Sequence, residues 1–301
     1  MAISRGQLVK ELEPGLNALF GLEYKRDENQ HAEIFDTESS ERAFEEEVML
    51  SGFANAAVKP EGSGVTFDNA QETFTARYTH ETIALAFAIT EEAIEDNLYD
   101  RIASRYTKAL ARSMANTKQV KGANVLNNGF DSNYPGGDGS PLFATNHPTI
   151  AGSFSNTLAT QADLNETSLE QAIIDIAALT DERGLKIAAR PVKAIVPPEL
   201  QFTAERLMKS EGRTGTANND INAIKSMGMV PQGYTVNNFL TDPDAWFLRT
   251  DVPNGMKMFL RAPIKTSMEG DFDTGNVRYK ARERYSFGWS DPRGIFGSSG
   301  A

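Results

Sequence analysis

The triplet Asp273-Thr274-Gly275 copies the signature of aspartic proteases, in which two carboxylates must lie close enough to share one proton. Only one such triplet occurs, inside an acidic stretch from Glu269 to Asp273, and a turn accounts for it better than a catalytic dyad. Asp131-Ser132-Asn133-Tyr134-Pro135-Gly136 opens like a calcium loop but lacks the fifth-position oxygen ligand and the closing bidentate glutamate. The chain has no cysteine, which removes thiolate nucleophiles, disulfides, iron-sulfur clusters and sulfur-ligated zinc. Its three histidines, His31, His80 and His147, are far apart in sequence. His147, before Pro148 in a polar loop, and His80, at a strand end, are expected to be surface or turn-satisfied groups, not general bases. Gly62-Ser63-Gly64 and Gly136-Gly137-Asp138-Gly139 match neither a phosphate loop nor a dinucleotide fingerprint, and no serine has nucleophile-elbow flanks. An acidic metal-dependent hydrolase would have to gather Asp131, Asp138, Asp271 and Asp273, which no local spacing brings together. The expectation is a protein without an active site, a cofactor or a metal.

The 301 residues are enough for two core-bearing domains. A net charge of −11 has the wrong sign for a protein that wraps nucleic acid by neutralising phosphates. A hydrophobic share of 40% marks a folded chain with large polar surfaces or long extended segments. The amino terminus has no signal-peptide pattern, and the longest apolar run, Ile83 to Ile89, is far short of the ~18 residues of a membrane span. The protein is expected to stay in the compartment where it is made, away from membranes.

Two short helical patterns, Leu8 to Leu12 and Leu16 to Phe20, are expected to stop at Glu13-Pro14-Gly15 and at Gly21. From Asp27 to Glu47 the carboxylates dominate, ending in Glu45, Glu46 and Glu47, as in a solvated arm that docks on something else. Phe53 to Val58, then a Pro-Gly turn, then Val65 to Phe67 and Phe74 to His80 read as a projecting hairpin. Thr90 is a candidate N-cap for one long helix from Glu91 to about Lys121, with Ile94, Leu98, Ile102, Tyr106, Leu110 and Met114 as its apolar stripe. Arg101, Arg105, Lys108 and Arg112 recur on one face of that helix. A long irregular stretch follows to about Gln161. A helix with a Thr167/Glu170 capping box, a strand from Val192 to Val196 and a helix opened by Pro197-Pro198 then indicate a small α/β domain. Ser210 to Asn219 reads as a flexible patch before short strands at Thr235 to Phe239, Trp246 to Leu248 and Met256 to Leu260. The last element alternates strictly, with Val277, Tyr279 and Ala281 on one side and Arg278, Lys280, Arg282 and Arg284 on the other.

The order arm, hairpin, long helix, α/β domain and returning strand resembles the major capsid protein of tailed double-stranded DNA bacteriophages, the Hong Kong 97-like fold. The likeness is carried by FTARYTHETIALAFAITEEAIEDN from Phe74 to Asn97, DGSPLFATNHP from Asp138 to Pro148, KAIVPPELQFTAERL from Lys193 to Leu207 and VRYKARERYSFGWSDPRG from Val277 to Gly294. It implies an α+β fold with an N-terminal arm (1–47), an E-loop hairpin (48–82), a peripheral domain with a spine helix (83–164, the helix 91–121), an axial domain (165–262) and a closing strand (263–301).

The resemblance implies a structural protein that assembles as hexamers and pentamers into an icosahedral shell around double-stranded DNA. It also implies a scaffolding protein, a portal and a possible decoration protein as partners, with assembly in the host cytoplasm. Some relatives crosslink an E-loop lysine to a neighbour's asparagine; Lys59 at the hairpin tip is the one candidate, and no crosslink is expected. Charge pairing of the acidic arm, Glu45 to Glu47 included, with Arg101 to Arg112 or Arg278 to Arg284 of adjacent copies is the expected mode of contact. An encapsulin-type nanocompartment is the alternative within the same fold.

Overall fold

The computed structural model describes residues 5–26, 29–90, 92, 99–213, 220–271 and 275–301, the side chains of 5–13 and 99–102 excepted. Helix α1 (Arg5–Tyr24) and a 3-10 turn (Gln30–Glu33) precede strands β1 (Asp36–Ser39), β2 (Phe44–Leu50), β3 (Glu72–Thr79) and β4 (Glu81–Ile89), and then the long helix α2 (Tyr99–Asn127). Next come β5 (His147–Thr149), β6 (Gly152–Phe154), α3 (Glu166–Ala177), β7 (Pro191–Val196), α4 (Gln201–Lys209) and α5 (Ala223–Ser226). Strands β8 (Tyr234–Val236), β9 (Trp246–Thr250), β10 (Met256–Gly270), β11 (Val277–Trp289) and β12 (Ile295–Ser298) complete the order.

A first sheet, in the order β1-β10-β11-β4, carries α1 and α2 on one face. The alternation of β11 dictates which face: Val277, Tyr279, Ala281, Glu283 and Tyr285 are buried, while Arg278, Lys280 and Arg282 are exposed. Leu16 and Phe20 of α1, Leu110, Ala111 and Met114 of α2, and Ile89, Tyr279 and Ala281 of the sheet form one core. The second sheet, in the order β12-β9-β7-β8, packs against Leu169, Ile173 and Ile176 of α3 and Ala204 and Leu207 of α4. A third cluster, with Phe35, Leu126, Phe143, Phe247, Met258 and Tyr285 among its members, welds the two sheets together. Gly255 and Gly294 meet backbone to backbone there; a Cβ on Gly294 would lie 2.3 Å from the Cα of Gly255.

Several sequence-based expectations are corrected. Helix α1 runs through Pro14 as one element, because Leu16 and Phe20 are held in the core beyond the proline. The acidic segment is not a solvated arm: Ile34 and Phe35 are buried, and β1 pairs in parallel with β10. The hairpin strands are β2 and β3, so its base starts at Phe44, and residues 51–71 form no strand. Helix α2 continues to Asn127, since Ala123 and Leu126 extend its buried stripe; Tyr106 stays half-exposed, its ring 5.8 Å from Phe87. The Thr90 cap reading, Ile94 and Leu98 fall largely or wholly outside the described residues, as do residues 214–219 of the patch. The cap of α3 is Asn165, which accepts from Ser168 N while Ser168 Oγ accepts from Asn165 N, in place of Thr167 and Glu170. The stretch between α2 and α3 is irregular as expected, apart from β5 and β6, and is packed, with Leu142 and Phe143 buried.

Candidate functional site

Projection of the hairpin is the first surface feature. Between Phe44 and Thr79 six carboxylates stand against Lys59 and Arg77. Beyond the paired strands the segment has few internal bonds: Ala54 N donates to Asp68, Ser63 N to Pro60 O and Ser51 N to Gln71 O. Its apolar side chains find nothing to cover them, Val58 being 93% and Phe67 97% exposed. Phe53 and Val65 on the same excursion are exposed as well. Lys59 sits there, exposed and without an ion pair among the described residues.

Not all of the acids around the hairpin remain free. Lys257 pairs with both Glu38 and Glu47, Ser290 also donates to Glu47, and Lys193 pairs with Glu33. Arg249 grips Asp36 at 2.7 and 2.8 Å, and Glu45 accepts from Ser40 at 2.7 Å. Glu46 keeps a looser contact, 3.8 Å from Arg77. These charges hold the acidic segment onto its own chain.

The outward face of the first sheet is the opposite in sign. Register sets Arg278, Lys280, Arg282 and Arg284 of β11 against Ala88, Ala86, Ala84 and Thr82 of β4, and Lys265 of β10 against Arg282. The small β4 side chains leave Arg278, Lys280 and Arg282 standing clear, while Arg284 is half-buried and donates to Ala43 O. Lys280, Arg282 and Lys265 have no ion-pair partner among the described residues, while Arg278 binds Asp271 at 2.5 Å. On α2, Arg105 and Lys108 are exposed and unpaired among the described residues, and the side chain of Arg101 lies outside them. Arg112 instead bonds Glu23 of α1 at 2.6 Å, and that hydrogen bond holds the Glu23 carboxyl below its usual range.

Four buried polar clusters escaped sequence reasoning. Glu283 accepts from Lys118 Nζ and from Tyr24 Oη, each at 3.0 Å. Burial, and then the charge of Glu283, push the Tyr24 phenol upward. Its one sequence signal is position: Glu283 occupies an apolar place in the β11 alternation. Arg293 bonds Glu182 at 2.7 Å and Thr180 O at 2.7 Å, and its guanidinium lies 4.0 Å over the Phe154 ring. His147 is fully buried, 2.6 Å from Asp138 and 3.1 Å from Asn156, so of the two expected states it is satisfied by neighbouring loop residues and is not at the surface. His80 is buried as well, between Ser40 and Ser286.

The carboxylates that a hydrolase would need are spread apart in their roles: Asp131 caps a turn at Asn133, Asp138 holds His147, Asp271 holds Arg278, and Asp273 lies outside the described residues. Among the described residues no group of three His, Asp or Glu side chains could hold a metal ion, and no helix is long and apolar enough to cross a membrane.

A two-sheet α+β body with a long helix and a projecting hairpin places this chain with the Hong Kong 97-like capsid fold. The chain belongs to the phage capsid protein family, whose model matches residues 72–297. Among solved structures, the capsid of an empty GTA particle is similar at a TM-score of 0.58 and 15% identity, over 92% of this chain and 91% of that one. The procapsid of bacteriophage JBD30 has a TM-score of 0.55 and 14% identity, covering 98% of this chain and 76% of that chain. The virus-like particle from Pyrococcus furiosus has 0.53 and 9%, covering 94% and 97%. No curated protein matches the chain. The family and the fold are those of a structural, self-assembling major capsid protein of the virion.

Proposed function

We propose that copies of this chain associate as hexamers and pentamers into an icosahedral shell that encloses double-stranded DNA, assembling in the host cytoplasm with a scaffolding protein and a portal, and with room for a decoration protein. The observation that carries the assembly reading is the hairpin, whose Val58 and Phe67 meet nothing in their own chain. Its Glu61 and Glu72, exposed and unpaired among the described residues, complement the outward face of the first sheet, where Lys280, Arg282 and Lys265 are likewise unpaired among the described residues. Such complementarity sets register and encounter rate more than net affinity. Arg101, Arg105 and Lys108 of α2 offer a second cationic face, and Lys59 forms no covalent crosslink.

Closed shells in negatively stained preparations of the wild-type chain, and their loss in Lys280→Glu/Arg282→Glu with an unchanged monomer circular dichroism spectrum, are the expected results. Normal shells from the double variant would remove the charge-pairing reading. Shells purified from cells that carry a protein cargo and no DNA would favour a nanocompartment instead.

A further inference from the structure

The hairpin leaves the body of the protein at two points, between β1 and β2 and between β3 and β4. His80 is the single residue between β3 and β4, and Ser40 opens the link from β1 to β2. Their side chains are bonded to each other, with Ser40 Oγ 2.9 Å from His80 Nε2. On the other side His80 Nδ1 lies 2.9 Å from Ser286 Oγ of β11. One imidazole thus ties both roots of the hairpin to the first sheet.

The hydrogen-bond pattern fixes its proton. Ser40 Oγ donates to Glu45 of β2 at 2.7 Å, so it accepts from Nε2–H, and the bare Nδ1 accepts from Ser286. The neutral ring is fully satisfied. A second proton would arrive at Nδ1 and turn the Ser286 hydroxyl from donor to acceptor.

The surroundings oppose that proton. Arg284 of β11 and Arg261 of β10 act on the ring as cations, against the single carboxylate of Glu45. Both guanidinium Nε atoms are themselves buried without a partner. Burial first, then Arg284, hold the imidazole below its ordinary range.

We propose that His80 is a proton-operated pin for the hairpin: neutral, it locks both roots to the sheet, and protonated, it releases them while the second sheet stays folded. This goes beyond shell formation and is read on the unassembled chain.

Hydrogen exchange of the full-length chain, corrected for the intrinsic pH dependence of exchange, tests it between pH 7.5 and 5. Amides of 44–50 and 72–79 should lose protection at least tenfold on acidification, while those of 191–196 and 246–250 do not. In His80→Gln, which hydrogen-bonds on both sides but cannot titrate in this range, the hairpin amides should keep pH-independent protection. Should that variant not fold, the wild-type imidazole resonances decide: a histidine signal must titrate in step with the hairpin amides. A pH-independent hairpin in the wild type, an equal loss in His80→Gln, or a loss spread equally over both sheets would overturn the proposal.

Discussion

The Glu283 carboxylate, fully buried on β11, lies 3.0 Å from the Nζ of Lys118 on α2. Tyr24 of α1 donates to the same carboxylate oxygen, so one acid joins the last long strand to both helices. Its second oxygen has no partner, which makes the cluster more a device of register than a large source of stability.

Removing one member of that pair is therefore costly. Lys118→Met should destabilise the chain by about 3–5 kcal/mol, because it leaves a carboxylate buried without its counter-charge. Adding Glu283→Leu to it should recover much of the loss. Urea unfolding of both variants measures this, and additive losses would contradict it.

The contact of Gly255 with Gly294 gives a steric prediction. A Cβ added at position 294 would come within 2.3 Å of backbone, which cannot rotate aside, so Gly294→Ala must move the start of β10 away from the turn before β12. A loss of about 2–3 kcal/mol is expected, at the upper end for overpacking. A melting temperature equal to wild type would show that the two segments separate freely.

Asn165 caps α3 through Ser168 N, and Asn165→Ala removes an acceptor for the first turn. The expected cost is about 1 kcal/mol. Thr167→Ala, at the residue the sequence pattern favoured as cap, should change stability by less than about 0.5 kcal/mol. The reverse ranking in thermal denaturation would contradict the cap assignment.

Acid should weaken the fold through His31. Its imidazole is held below the ordinary value of about 6.5 by burial, with Lys118 adding to the effect and Gln119 opposing it. A lowered value means that the unfolded chain binds the proton more readily, so the stabilisation is complete above about pH 6.5 and shrinks as the pH falls below it. His31→Phe keeps an aromatic ring edge-on to Phe287, now 5.7 Å from the His31 ring. The stability difference between pH 7.5 and 5.5 should be smaller in that variant, and an unchanged difference would exclude His31 as a source.

Much of the architecture was legible because β11 alternates strictly and α2 repeats Leu110 and Met114 at helical spacing, patterns that local sterics and burial impose. What stayed hidden depends on contacts distant in the chain. Nothing near Glu38 or Glu47 announces that Lys257 will neutralise both, so the acidic segment read as an arm when it is a strand and a hairpin root. His147 read as a loop histidine because Asn156 and the burial around it are supplied by tertiary packing. Charge repeats fared better: Arg278, Lys280 and Arg282 of β11 are on the outward face where period-two alternation puts them, and Arg284 alone of the four is half-buried.

The bare side chains of Val58 and Phe67 also say how temperature should act on association. Covering them releases hydration water, a driving force that is entropic near 25 °C and fades on cooling. The cationic face of the first sheet answers to ionic strength, which screens exposed charges within roughly 10 Å at 0.1 M. Cold and salt would thus loosen two different halves of the proposed contact, and sulfate, which strengthens apolar burial while it screens charge, would set them against each other.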